Sequence, residues 1–146
     1  MKRKILIVKA TYYKEISNDL LNGVINYLKK FEENNSNNID FEIKTIDAPG
    51  CFEIPFVINN NKNAYDAFIA LGCVIRGETF HFELICNAVT NKIMDLSILN
   101  NKPIGFGILT CEDIKQAKIR SDITKKNKGA EAAKACVDML LQQIHG

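Results

Sequence analysis

The stretch that most constrains this chain runs from Tyr65 to Asn87. Within it, Ala67 to Ile75 is an unbroken apolar run of strand length. A strand with no polar alternation must be buried on both faces, which in a water-soluble chain means a sheet layered between helices. The run is too short to cross a bilayer. It stops in Arg76-Gly77-Glu78-Thr79, where Gly77 supplies backbone freedom and Thr79 offers a helix N-cap. A helical pattern follows, with Phe82, Ile85, Cys86, Val89, Ile93 and Met94 expected on one side. His81, one of only two histidines, is therefore predicted in the first turn of a helix, just past the C-terminal end of a central strand. That edge of an open α/β sheet is where ligands bind.

The rest of the chain repeats the alternation. Lys4 to Lys9 reads as a short strand, and Thr11-Tyr12-Tyr13 as the loop leaving it. Ile16, Leu20, Leu21, Val24, Leu28 and Phe31 fall at helical spacing, and the polar tract Glu33–Asn38 ends that helix. Phe41, Ile43 and Thr45 alternate with charged residues, the mark of a half-exposed edge strand. A helix opens at Cys51–Pro55, with Pro55 in its first turn, and dies in Asn59–Asn63. Ile104–Leu109 reads as a further buried strand, whose glycines imply close approach of another backbone or of a ligand. Thr110–Asp113 resembles a capping box before a helix through Ile114, Ala117 and Ile119. Arg120–Gly129 reads as a polar basic connector, and Ala130 to about Ile144 as the last helix. The fold class expected is α/β: a three-layer α/β/α sandwich around a mainly parallel sheet of about four strands.

Composition excludes several classes of function. The 146 residues fit one domain, 1–146, with a real core. A net charge of +2 without a long basic run argues against nucleic acid as the main partner. The basic start Met1-Lys2-Arg3-Lys4 is followed by an apolar stretch too short for a signal sequence, and no stretch is long enough for a membrane span. A cytoplasmic location is expected. The five cysteines are odd in number and form no C-x-x-C pair, so neither a disulfide framework nor a zinc site is expected, and no metal. Each lies in an apolar stretch, where a free thiol acts as a small hydrophobe.

In such a fold the strand-to-helix loops Thr11–Lys14, Pro49–Glu53, Arg76–His81 and Thr110–Asp113 open on one edge. They offer Tyr12, Tyr13 and Phe52 as flat apolar faces, Glu53 as an acceptor and His81 as an acid/base group. Helix N-termini add free N–H groups, a seat for an anion. The set suits a planar, polar heteroaromatic beside a phosphate. Each residue also has an ordinary reading: Tyr12 and Phe52 as rim aromatics, Glu53 as a charge favoured by the helix dipole, Arg120 and Lys128 as a solvated helix end. Residue types and spacing alone reach a small-molecule α/β protein and stop there.

The words themselves go further. Pro49-Gly50-Cys51-Phe52-Glu53-Ile54-Pro55 resembles the P-G-A-F-E-I-P signature of the lumazine synthase family. Ala70 to Phe82 resembles its A-L-G-x-V-I-R-G-E-T-x-H-F block. Phe106–Thr110, Gln116-Ala117, Arg120 and Asn127–Ala133 are similar to the rest of the pattern, in order along the chain. The resemblance implies a flavodoxin-like fold and the penultimate step of riboflavin biosynthesis. In that step 5-amino-6-(D-ribitylamino)uracil condenses with 3,4-dihydroxy-2-butanone 4-phosphate, without a cofactor. It also implies a homopentamer, or a multiple of one, with sites between subunits.

Carried over by position, the resemblance implies roles for individual residues. Tyr12 stacks on the pyrimidine; Cys51, Phe52 and Glu53 line the ribityl side; Cys73, Val74 and Ile75 hold the pyrimidine edge. Phe106 closes the ring pocket from a neighbouring subunit. Glu78 (through its backbone), Thr79 and Arg120 bind the butanone phosphate, and His81 is the catalytic acid/base group. Departures from the pattern are Thr11-Tyr12-Tyr13, where many relatives read Arg-Phe-Asn, and Thr124, where the family often has lysine. Lys125 and Lys126 stand just beyond, and Lys128 matches a later family lysine. The chain starts directly at the first strand, whereas many relatives carry an extra N-terminal stretch; Ser121–Lys126 replaces the Gly-rich connector of the sixty-subunit shells. Competing readings are an archaeal-type riboflavin synthase, a flavin- or lumazine-binding carrier without turnover, and a structural shell protein.

Overall fold

A computed structural model describes residues 1–34 and 38–146, so part of the Glu33–Asn38 loop expectation lies outside the described residues. Four strands form one sheet: β1 (Lys2–Ala10), β2 (Asp40–Ala48), β3 (Ala67–Ile75) and β4 (Ile104–Cys111). The order is β2-β1-β3-β4 and every pairing is parallel. Five helices connect or follow them: α1 (Lys14–Glu33), α2 (Ile54–Asn60), α3 (His81–Asn100), α4 (Ile114–Ser121) and α5 (Lys128–His145). A single 3-10 turn, Cys51–Glu53, precedes α2. The α/β/α flavodoxin-like expectation holds.

The alternation of strand side chains divides the core in two. Ile5, Ile7, Ile69 and Leu71 face α1 and α5, where Leu20, Val24, Ala133, Cys136 and Val137 are buried. Leu6, Val8, Phe68 and Ala70 face α2 and α3, meeting Ile54, Ile58, Val89 and Ile93. Ile5 through Val8 are fully buried, and each such side chain contributes roughly 1.5–3 kcal/mol of burial free energy. At the edge, β2 alternates between exposed and half-buried from Asp40 to Lys44, as its charged alternation predicts, but Thr45 is exposed and Ile46 takes the inward place.

The strand glycines answer the choice between backbone and ligand. A Cβ on Gly105 would lie 2.3 Å from the Ala132 carbonyl oxygen, so the close approach there is that of α5. Four local expectations are corrected. The cap of α4 is Asp113, which accepts from the Gln116 N–H at 2.8 Å, while Gln116 Oε1 accepts from the Glu112 N–H at 2.8 Å. Thr110 belongs to β4, because pairing with Val74 outweighs its capping tendency. The residue capping α3 is Phe80; Thr79 sits one place earlier, and its hydroxyl accepts from the His81 N–H at 3.3 Å. Met94 is exposed, since the buried line of α3 runs Val89, Ile93, Leu96. Finally, α4 extends through Ser121, so Arg120 lies in its last turn rather than in a connector, and α5 begins at Lys128.

Candidate functional site

Three of the four strand-to-helix loops converge on one cavity of about 590 Å³. Its walls are Tyr12 and Tyr13 after β1, Gly50–Glu53 after β2, and Cys73–Ile75 at the end of β3, with His81 and Ile85 from α3. That size is ordinary for a small-molecule site. The β1–α1 loop is held there by the Thr11 N–H, which donates to the Ala48 carbonyl at 2.9 Å, and by a bond from the Ser17 hydroxyl to the Ala10 carbonyl. Tyr12 stands 76% exposed, edge-on to Tyr13 with ring centroids 4.9 Å apart. Burial raises the Tyr13 hydroxyl above its ordinary pKa, with Tyr12 and Cys73 adding to the effect.

Two thiols form the cavity floor. Burial pushes Cys51 up to about 12, an effect the facing Cys73 backbone amide partly offsets. Burial also pushes Cys73 up to about 12, with the neighbouring Cys111 and Cys51 adding to it. Cys86 and Cys111 are raised by burial as well, and Cys136 to about 12. A thiolate is the nucleophilic form, so burial disfavours that form at all five thiols, in keeping with their apolar settings. A Cβ on Gly72 would lie 2.6 Å from the Cys51 sulfur, so glycine there lets that thiol seat against β3.

The remaining site candidates lie elsewhere on the chain. Phe106 and Arg120 line a second concavity of about 480 Å³ beside β4, with Thr110, Lys128 and Glu131. It shares no lining residue with the cavity. Lys128 pairs with Glu131 at 3.1 Å, while Thr124 turns its hydroxyl and amide to the Asp122 carboxylate at 2.7 and 2.8 Å. Those two bonds, the hydroxyl first, hold Asp122 below the usual carboxylate range. Glu78 and Thr79 stand exposed on the Arg76–Phe80 loop and line neither concavity, although Thr79 is bonded to the His81 amide. Among the described residues no cluster of His, Cys, Asp and Glu is suited to a metal ion, and no helix is long and apolar enough to cross a membrane.

Two contributors escaped the sequence reading. Ile85 lies four residues past His81, so it faces the same way, a relation the helical spacing contained. Arg76 follows β3 and reaches the carboxylates of Glu83 on α3 and Glu112 in the β4–α4 loop, which no local pattern shows.

Comparison with known proteins agrees with this geometry. Residues 2–143 match the sequence model of the 6,7-dimethyl-8-ribityllumazine synthase family. The chain is 44% identical over 143 residues to the 6,7-dimethyl-8-ribityllumazine synthase of Bartonella henselae, covering 95% of this chain and 87% of that one. It is 43% identical to the enzyme of the same name from Bartonella tribocorum, covering 95% and 89%. With that of Zymomonas mobilis it is 40% identical over 138 residues, 93% of each. With the family pattern spread over nearly the whole chain and its two longest words lining one cavity, this protein belongs to the 6,7-dimethyl-8-ribityllumazine synthase family.

Proposed function

We propose that this chain is a transferase that condenses 5-amino-6-(D-ribitylamino)uracil with 3,4-dihydroxy-2-butanone 4-phosphate to 6,7-dimethyl-8-ribityllumazine, releasing phosphate and water. The observation that carries the reading is the cavity itself. An aromatic plate, an acceptor carboxylate, strand-end backbone groups and an imidazole surround one space at the C-terminal edge of a parallel sheet.

In this reading Tyr12 stacks on the pyrimidine, and the backbone of Cys73, Val74 and Ile75 meets its polar edge. Glu53 accepts from ribityl hydroxyls beside Cys51 and Phe52. The phosphate sits over the Glu78–Thr79 backbone and the Thr79 hydroxyl, next to the first turn of α3. Its cation is Arg120, and the ring pocket is closed by Phe106. Both of those residues line the separate concavity beside β4. In this reading they come from a second copy, and the working form is a homo-oligomer, a pentamer or a multiple of one. The exposed apolar residues of α3, Leu84, Met94, Ile98 and Leu99, suit such packing.

The chemistry needs proton transfers and alignment. The pyrimidine amine attacks the ketone, and loss of water gives an imine. Removal of a proton and expulsion of phosphate give an enol, which tautomerises to a new ketone; the second amine adds to that carbonyl and loses water to close the ring. His81 carries protons in these steps, histidine being the side chain whose ordinary titration lies nearest neutrality. Holding two substrates in one geometry supplies much of the rate. The test is incubation with both substrates: lumazine absorbance should rise together with free phosphate. Binding of lumazine without phosphate release would instead mark a carrier.

A further inference from the structure

We propose that Arg76 is a positioning residue for this reaction, a strap that fixes the first turn of α3, and with it His81, against the β4–α4 corner. Its Nε donates to both Glu112 oxygens, at 3.0 and 3.2 Å, and its Nη1 to Glu83 Oε1. The guanidinium also lies 4.5 Å from the Phe82 ring centroid. Its backbone N–H donates to the Cys111 carbonyl at 2.9 Å, extending the β3–β4 ladder by one bond. One side chain thus ties the end of β3, the start of α3 and the corner before α4. A planar fork holds the two carboxylates in one fixed geometry, which an ammonium on a flexible stem does not impose.

The loop needs such a tie. Arg76 through His81 are all exposed, and a Cβ on Gly77 would meet nothing within 4 Å. Among the described residues, the hydrogen bonds of Gly77–Phe80 run only to the first turn of α3, from the His81 N–H to Thr79 and from the Leu84 N–H to Phe80. Neither bond ties the loop or that turn to the sheet or to the β4–α4 corner. Glu83, two residues past His81, is where the strap takes hold. Arg76 lines neither concavity, and two carboxylates already face its single positive charge. It is therefore not the phosphate cation, although it begins the loop assigned to the phosphate.

The inference rests on His81 as the acid/base group, and the test separates the two. In the full chain, with both substrates saturating, Arg76→Gln should lower kcat about 10- to 100-fold, the scale of a misplaced catalytic group. Arg76→Lys should recover only part of that. In a His81→Ala background, Arg76→Gln should cost about twofold or less, since there is no imidazole left to misplace. The surface change Glu112→Ala should show the same non-additivity with a smaller loss, and it covers the case in which Arg76→Gln does not fold. An equal loss in both backgrounds, or no loss from either variant in the native background, overturns the strap. A His81→Ala enzyme that turns over at the native rate removes the acid/base assignment, and the strap with it.

Discussion

The cavity over β1 and β3 and the groove beside β4 differ in what walls them. The cavity has aromatic faces, two buried thiols, one carboxylate and an imidazole. The groove has Arg120, Lys128 and Glu131 around the edge-strand residues Ile104–Thr110. One suits a flat ring and its proton transfers; the other brings cations for an anion. Neither holds the full set that the condensation needs, and no residue lines both. In the proposed reading, a chain whose base and guanidinium lie in separate concavities completes its site by association.

The largest expected effect tests that division directly. Arg120→Ala should lower kcat/KM for the butanone phosphate by about 10- to 100-fold, the loss of a charge-assisted bond. His81→Ala should lower kcat by about one to three orders of magnitude. Co-refolding the two impaired variants should restore activity, because some sites then pair a native His81 with a native Arg120 from another copy. If the mixture is no better than its parts, each site is complete within one chain and the comparison fails.

A smaller effect sharpens the contrast in rigidity. The groove wall is close-packed: a Cβ on Gly105 would meet the Ala132 backbone at 2.3 Å and the Cys136 Cβ at 3.2 Å. Gly105→Ala should therefore destabilise the fold by about 1–3 kcal/mol, since α5 must shift. Gly77 lies on the Arg76–Phe80 loop with open space around it, and Gly77→Ala should stay within about 0.5 kcal/mol. Urea midpoints measure both. Equal losses would mean that the loop is as tightly built as the wall.

The two regions were not equally legible in the sequence. The cavity was readable because its parts follow strands with strong local signals: an unbroken apolar run for β3, Pro49-Gly50 after β2, and a Gly-containing turn before His81. The groove was not. Arg120 reads as part of a connector because α4 is eight residues long with few apolar positions, too weak a pattern to mark its end. The cap before α4 was misplaced by three residues because Thr110 satisfies a capping pattern that strand pairing overrules. The Arg76 grip joins residues 7 and 36 positions apart, a relation set by the sheet topology alone.

The smallest effect concerns the thiols, and its sign follows from burial. The ordinary thiol value is 9.0, while Cys51 on the cavity floor and Cys136 behind the groove are each pushed up to about 12. Below about pH 9 both native and unfolded chains keep these protons, so the thiols contribute no pH slope. Above it the unfolded chain releases protons that the native fold retains. Stability should then fall steadily as pH rises toward about 12. Cys51→Ala removes one such group and should flatten the slope between pH 7 and about pH 10, at a cost near neutrality of roughly 1 kcal/mol or less for one lost sulfur contact. Cys136→Ala should flatten it equally but cost more at pH 7, because that side chain is the more deeply buried of the two, in the core between α5 and the sheet. Urea unfolding at the two pH values separates the slope from the packing loss. Slopes unchanged by either substitution would show that the buried thiols titrate alike in the folded and unfolded chains, and that the cavity floor is wetter than its packing indicates.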